Sequence, residues 1–230
     1  MIEERVMSGQ PGLRERKKQQ ARELIAETAR RLFAERGFEG VTVAEIAREA
    51  DVAEKTVFNY FPTKEDLFYS RLEAFEDELL DAVRTRAVGD SALDAFSRFL
   101  LAPRGVFARL EGDDSGAARE RLRAMTRVVT ESPALLARER QVFDRYTGSL
   151  AAVIAEESGA TTDDVEPWVA ASALFGVHRA LIDHVRRRTL AADDDPSRLA
   201  RDLRARGKRA FQLLEAGLGG YAPAPDGGEA

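Results

Sequence analysis

The chain has 230 residues, of which 44% are hydrophobic and 33% are charged, and its net charge is −5 at pH 7. This balance predicts a folded protein with a sizeable core and argues against a disordered chain. The absence of cysteine excludes disulfides, thiolate metal sites and cysteine nucleophiles. The longest apolar run, residues 168–177, is too short to cross a bilayer, and the first residues lack a signal-peptide apolar region. We therefore expect a cytoplasmic protein without a membrane partner.

Positive charge is concentrated near the N-terminus. Residues 14–31 hold seven basic and three acidic side chains, a local charge of +4 in a chain of net charge −5. Such a region can meet an anion, but a charged helix face is more often simply solvated and laced with ion pairs. The charge pattern alone favours the second interpretation.

Helical periodicity runs through the whole chain, and no segment shows the sustained alternation of a strand. We predict an all-α protein in which helices cover most of the sequence. One short predicted helix starts at a capping-box pattern of Thr42 and Glu45, and Thr63 with Asp66 forms the same pattern before the helix that starts at residue 64. The other predicted helices are 14–36, 53–60, 64–88, 92–101, 117–131, 133–157, 163–189 and 197–217. Residues 103–117 and 191–197 are predicted loops, and residues 1–13 and 219–230 are predicted disordered tails.

The predicted helices fall into two groups that meet near residue 65. An N-terminal unit, residues 14–65, contains a long helix and two short helices joined by a tight turn. A larger helical body, residues 66–218, follows it. A long helix followed by two short ones is the pattern of a helix-turn-helix DNA-binding unit, although many small bundles share it. The residues exposed by the third helix therefore decide the interpretation.

The third predicted helix has one polar and one apolar face. At 100° per residue, an arc of roughly 140° holds Lys55, Thr56, Asn59 and Tyr60. The opposite side holds Val57, Phe58 and Phe61, which are expected to anchor the helix to its neighbours. Phe58 lies at the edge of that apolar side, where contact with a thymine methyl group is the alternative.

The polar face has the chemistry that a DNA duplex requires. Lys55 can donate to guanine, Asn59 can pair with adenine or contact a phosphate, and Thr56 and Tyr60 can reach phosphates or a thymine methyl group. Thr42 and Lys64, at two helix starts, are expected to fix the register on the phosphate backbone. The predicted DNA-binding residues are Thr42, Lys55, Thr56, Asn59, Tyr60 and Lys64.

The segment GFEGVTVAEIAREADVAEKTVFNYFPTKEDLF resembles the helix-turn-helix of the TetR family of bacterial transcriptional regulators. The resemblance covers residues 14–68 and implies a homodimeric repressor with a ligand-binding helical body. Two residues depart from the family pattern: Asp51 stands at a usual glycine, and Ala53 at a frequent serine. Asp tolerates a left-handed turn, whereas Ala53 removes a helix cap and a possible phosphate contact.

The helical body offers a dimer surface and a possible effector pocket. The predicted helix 163–189 is apolar nearly all round, so one side is expected to meet a partner chain. The last helix shows an apolar stripe, which is also expected to meet the partner chain. Candidate pocket linings, each equally compatible with ordinary core packing, are Met125, Phe143, Tyr146, Trp168, Phe175 and His178. The ligand-binding residues stay unknown at this stage.

The sequence thus predicts a ligand-responsive repressor that binds a palindromic operator in double-stranded DNA as a homodimer. The effector would be an apolar or aromatic small molecule, and no cofactor is expected. His178 and His184, six residues apart, lie on different helix faces, which argues against a metal site. One alternative is a helical interaction module whose head no longer binds DNA. An enzyme is less favoured, because no paired carboxylates, nucleophile–base pair or phosphate loop is found.

Overall fold

The computed structural model describes residues 13–70, 72–103, 107, 116–161, 163–191 and 196–217. These residues form α-helices and connecting turns, without a strand in any of the described ranges, so the all-α prediction is confirmed. The chain divides between Arg71 and Leu72 into two compact units. Apart from Leu13, the predicted tails lie outside the described residues, and so does most of each predicted loop, 103–117 and 191–197.

The N-terminal unit contains four helices: α1 Leu13–Arg36, α2 Val43–Glu49, α3 Glu54–Tyr60 and α4 Lys64–Phe68. α1 packs against α2 and α4, and α2 packs against α3. Its core is made of aliphatic and aromatic side chains that are almost fully buried: Ile25, Ala29, Leu32, Phe33, Phe38, Val41, Ile46, Val57, Phe61 and Leu67. This core holds the short helices α2 and α3, which are too short to be stable alone.

The helical body is built from the later helices: α5 Leu72–Arg84, α6 Ala92–Leu101, α7 Gly116–Glu131, α8 Pro133–Ser158, α9 Glu166–Leu190 and α10 Pro196–Ala216. α9 packs against α7, α8 and α10, while α6 packs against α5 and α10. The body has one hydrophobic core, to which α5, α6, α8, α9 and α10 all contribute. Between α8 and α9, Glu139 and Arg186 form a two-pronged ion pair, with N–O distances of 2.8 and 2.5 Å.

The prediction of one continuous helix over 64–88 is wrong. α4 ends at Phe68, Tyr69 leaves the helix with φ −90° and ψ 16°, and α5 covers only Leu72–Arg84. The Phe68 ring packs 6.0 Å from Phe33 and 6.2 Å from Phe38, centroid to centroid. Tertiary packing of this kind overrides the helical propensity that a sequence pattern reports.

Two apolar stripes are also covered differently from what periodicity predicts. Helical periodicity places Leu24 on the apolar stripe of the predicted helix 14–36, which should be buried, but Leu24 is 54% exposed. The stripe of α10, expected to meet a partner chain, instead faces its own core: Leu199 and Leu203 are buried there. A Cβ on Gly207 would lie 2.6 Å from Leu101 Cδ2, so α10 approaches α6 closely. An amphipathic pattern predicts that a face is buried but not what covers it.

Candidate nucleic-acid interface

α2 begins at a complete capping box. The Glu45 backbone N–H donates to Thr42 Oγ1 at 3.2 Å, and the Thr42 backbone N–H donates to Glu45 Oε2 at 2.8 Å. These hydrogen bonds from Thr42, together with the nearby charge of Arg36, hold the pKa of Glu45 below its usual value. The Thr42 hydroxyl also donates a hydrogen bond to Glu45 at 2.9 Å. A hydroxyl has only one hydrogen to donate, so Thr42 must give up this bond before its hydroxyl can donate to a phosphate. The predicted capping box is therefore present.

The turn between α2 and α3 uses a left-handed residue. Asp51 has φ 54° and is the only non-glycine residue with positive φ in the described ranges. This agrees with the role predicted for it, since Asp tolerates this conformation better than most residues. Ala53, the N-cap of α3, has the extended geometry of a cap but makes no side-chain hydrogen bond. The predicted loss of a helix cap is thus observed.

α3 is docked by two side chains four residues apart. Val57 is fully buried and Phe61 is 2% exposed. Lys55 and Asn59 are exposed, and Thr56 and Tyr60 are half-buried. None of these four polar side chains forms a hydrogen bond or ion pair with another described residue, so their donors and acceptors are available to a ligand. α3 therefore presents four polar groups on the side away from its buried residues.

Phe58 does not anchor α3, contrary to the main prediction. Its side chain is 45% exposed, beside the buried pair Val57 and Phe61. The contact surface under α3 is narrow, and two residues four apart already fill it, so the neighbouring position turns outward. Phe58 thus extends the exposed face of α3 with an apolar ring, which fits the alternative of a thymine methyl contact.

α4 begins at a second capping box, which was also predicted. The Asp66 N–H donates to Thr63 Oγ1 at 3.2 Å, and the Thr63 N–H donates to Asp66 Oδ2 at 3.1 Å. Lys64 follows as the first residue of α4, and its Nζ lies 4.2 Å from the centroid of the Phe38 ring. Lys64 is half-buried, so its ammonium is held against an aromatic face while still reaching solvent. Thr42 and Lys64 thus lie at the starts of the helices before and after α3.

One contact near this face was missed by the sequence interpretation. The guanidinium carbon of Arg22 in α1 lies 5.0 Å from the centroid of the Phe61 ring, directly after α3. The sequence showed the positive charge of α1 but not its neighbour, because the two residues are far apart along the chain. This stacking brings the basic part of α1 next to the C-terminal end of α3.

The helical body contains an aromatic cluster around His178. The His178 ring lies 5.2 Å from Phe75, 5.3 Å from Phe143 and 6.2 Å from Phe175, centroid to centroid. Tyr146 contacts the same three phenylalanines. Four of the suggested pocket linings are therefore brought together, whereas Phe75 was missed because it lies on α5, distant in sequence.

Two other suggested linings are not among the buried side chains of the described core. Trp168 is 51% exposed, and its indole would lie 3.5 Å from a Cβ built on Gly148. Met125 is half-buried on α7. Their apolar character marked them as candidates, but position on the helix face, not composition, decides which side chains meet.

His178 is a neutral polar group in apolar surroundings. Its Nδ1 is buried and has no hydrogen-bond partner among the residues that the structure describes. Burial lowers the pKa of His178 to about 4, since desolvation penalises the imidazolium. A buried nitrogen without a partner costs about 1–3 kcal/mol, so a ligand that supplies the missing hydrogen bond would gain affinity there.

Other site types find no support in the described residues. No group of three or more His, Asp or Glu side chains there is arranged to hold a metal ion. No helix in the described ranges is both long and apolar enough to span a membrane.

An N-terminal helix-turn-helix unit with an unpaired polar face, followed by a helical body with its own core, defines a DNA-binding regulator of the helix-turn-helix class. Residues 25–70 match the family model for bacterial regulatory proteins of the tetR family, and residues 99–219 match that for the MftR C-terminal domain. The chain belongs to the TetR family of bacterial transcriptional regulators.

Relatives of this chain carry the same description. It is 34% identical over 155 residues to the HTH-type transcriptional regulator TcmR of Streptomyces glaucescens, covering 67% of each chain. It is 28% identical over 167 residues to a protein named as the mycofactocin biosynthesis transcriptional regulator MftR of Mycobacterium tuberculosis, covering 70% of this chain and 77% of that protein.

A solved structure supports the fold. A crystal structure of a transcriptional regulator from Pseudomonas aeruginosa PAO1 matches with a TM-score of 0.50 at 21% identity, covering 87% of this chain and 92% of the other. At this identity the match concerns the fold alone.

Proposed function

We propose that this protein is a cytoplasmic, homodimeric repressor that binds a palindromic operator and releases it when a small molecule occupies the helical body. It acts by binding and not as an enzyme. The observation that carries the proposal is the face of α3, where Lys55, Thr56, Asn59 and Tyr60 have no partner among the described residues. Side chains of these types match the donor and acceptor pattern of base edges and phosphates.

The proposed base contacts come from Lys55 and Asn59, and the phosphate contacts from Thr56, Tyr60, Lys64 and the start of α2 at Thr42. Lys55 suits guanine O6 or N7, and Asn59 suits adenine N6 and N7. The exposed ring of Phe58 adds an apolar contact suited to a thymine methyl group. Two such faces in a dimer would read two half-sites about one helical turn apart.

The dimer is proposed to form through α9. Trp168 and Val169 are 51% and 60% exposed, an unusual display of large apolar side chains. Along the same face, Ser172, Gly176 and Ala180 are exposed at four-residue spacing after Trp168. Small residues let a second helix approach closely, and a two-fold axis would pair this face with itself. The basic exposed face of α10 is less suited to self-pairing.

The effector is proposed to bind at the aromatic cluster of the body. Phe75, Phe143 and Phe175 surround His178, whose Nδ1 has no partner among the described residues, and Tyr146 packs on the same three phenylalanine rings. A planar aromatic molecule with a hydroxyl or carbonyl group would stack on the rings and pair with the imidazole. Because binding and operator affinity are linked, an effector that prefers one conformation lowers the population of the other.

The DNA-binding proposal is tested by selecting duplexes from a random-sequence pool with the purified full-length protein. A single enriched palindrome is expected, and Lys55→Ala and Asn59→Ala should each lose about 1–3 kcal/mol of discrimination at one base position. Arg140→Gln, an exposed change on α8, is the matched control and should bind as the wild type does.

Thermal unfolding of every variant separates lost contacts from lost structure. If no sequence is enriched, the repressor proposal fails, and the interaction module becomes the better interpretation.

A further inference from the structure

The first turns of α1 extend beyond the core of the N-terminal unit. Buried positions in α1 begin at Ile25, whereas every described side chain between Arg14 and Leu24 is exposed or half-buried. We name residues 13–24 the α1 extension. The match to the tetR family model also starts only at residue 25. A helical segment without an apolar stripe contributes little to a core, so its conspicuous feature is its charge.

The α1 extension carries the positive charge of the N-terminal unit. Residues 13–24 hold five basic and two acidic side chains, a net charge of +3. Residues 25–71 hold seven basic and nine acidic side chains, a net charge of −2. No ion pair or side-chain hydrogen bond to a described residue engages Arg14, Arg16 or Lys17. The extension therefore presents cationic groups that the unit itself does not neutralise.

The position of the extension is fixed by Arg22. The Arg22 guanidinium stacks on Phe61, 5.0 Å from the ring centroid, and Phe61 directly follows α3. Lys18 lies four residues before Arg22 and Arg14 lies eight residues before it, so the three side chains lie on nearly the same side of the helix. With 1.5 Å per residue they are about 6 and 12 Å further along the axis. Arg16 points to a different side, roughly 120° from Arg22.

We propose that the α1 extension is a second DNA-binding element, in which Arg14 and Lys18 bind backbone phosphates outside the bases read by α3. This inference rests on the proposed function, because it takes α3 as the element that lies in the major groove. From Arg22, beside the end of α3, the extension runs away from α3 toward residue 13, so it follows the DNA that flanks the half-site. Lys and Arg at such a place bind phosphate without reading the sequence.

The inference is tested by the salt dependence of binding to the selected duplex. The double variant Arg14→Gln and Lys18→Gln keeps good helix formers at exposed positions, so it should fold normally. Each lost phosphate contact should reduce the slope of log K against log salt by about 0.9, so the double variant should reduce it by about 1.8 per protomer and about 3.6 for the dimer. Hydroxyl-radical footprints should lose protection at the outer flanks of the operator and keep it at the centre.

Two controls match this variant. Arg16→Gln changes one charge on the other side of the same extension, and the double variant Arg127→Gln and Arg140→Gln changes two exposed charges in the helical body. Both should keep the wild-type slope and footprint. An unchanged slope and footprint in the Arg14/Lys18 variant would overturn the inference, and so would an equal change in the controls.

Failure of this inference is distinct from failure of the repressor proposal. If the selection enriches a palindrome but the Arg14/Lys18 variant binds it normally, only the extension is assigned wrongly. If no sequence is enriched, the repressor proposal fails first, and the slope measured on a mixed-sequence duplex still decides whether the extension binds phosphates.

Discussion

Asp51 and Phe58 show how single residues shape the proposed DNA-binding face. Asp51 supplies the left-handed turn that lets α3 cross α2, with φ 54°. Phe58 is 45% exposed although its type favours burial, so its position on the helix outweighs its hydrophobicity. A single exposed phenylalanine costs little, and the proposed contact with operator DNA would cover its ring.

His178 leads to a prediction about pH. Its pKa is about 4 in the folded chain against an ordinary value of 6.5, because burial disfavours the imidazolium. Between these values the unfolded chain binds the proton and the folded chain does not, so stability falls as pH decreases from 6.5 to 4. His178→Phe keeps a flat ring and removes this loss, which amounts to roughly 2–3 kcal/mol at the low end.

Urea unfolding of the wild type and His178→Phe between pH 4 and 7 measures the difference. The two free energies of unfolding should diverge below pH 6.5, with the variant the more stable near pH 4. His184→Gln is the control, and its free energy of unfolding should diverge from that of His178→Phe in the same way as the free energy of the wild type does. Parallel curves for the wild type and His178→Phe would show that His178 titrates normally.

At the scale of elements, the caps distinguish the three short helices. α2 and α4 begin at complete capping boxes, whereas α3 begins at Ala53 without a side-chain hydrogen bond. α3 is thus held by the buried contacts of Val57 and Phe61 and not by its N-terminus. Of these three helices, the one that carries the proposed DNA-binding face has the weakest local support.

Ala53→Ser should therefore stabilise the protein. Ala53 has φ −70° and ψ 145°, the extended geometry in which a serine hydroxyl accepts from the first turn of a helix. The expected gain is about 0.5–1 kcal/mol in the free energy of unfolding of the N-terminal unit. Ala53→Val is the control, since it adds volume without an acceptor. If the serine gives no more stability than the valine, local capping does not limit α3.

For the whole molecule, the proposed dimer depends on the surface of α9. The α9 face of Trp168, Ser172, Gly176 and Ala180 combines a large apolar side chain with small ones, and a symmetric partner is proposed to cover it. A large charged residue at its centre should block that contact, because burying an unpaired charge is costly. Gly176→Glu should therefore give a monomer with an intact fold.

Light scattering after size-exclusion chromatography measures the mass of this variant. Arg127→Glu, on the exposed surface of α7, is the control and should stay dimeric. Monomeric Gly176→Glu protein should also bind single half-sites weakly and lose the affinity that two linked half-sites provide. A dimeric Gly176→Glu protein would place the interface elsewhere.

The sequence by itself determined the all-α fold, the helix-turn-helix and the polar face of α3. Local rules were sufficient for these features. Periodicity reports which residues share a helix face, and the capping boxes at Thr42 and Thr63 follow from hydrogen bonds between residues three apart. The left-handed turn at Asp51 also depends only on its own backbone and side chain.

Only the tertiary structure decided which partner covers each face. Phe58 is exposed beside the buried Val57 and Phe61, and α4 ends at Phe68, whose ring packs on Phe33 and Phe38. The stacking of Arg22 on Phe61 joins residues far apart in the chain. Periodicity shows that a side chain is apolar or charged, but contacts over long sequence distances depend on how all the helices pack together.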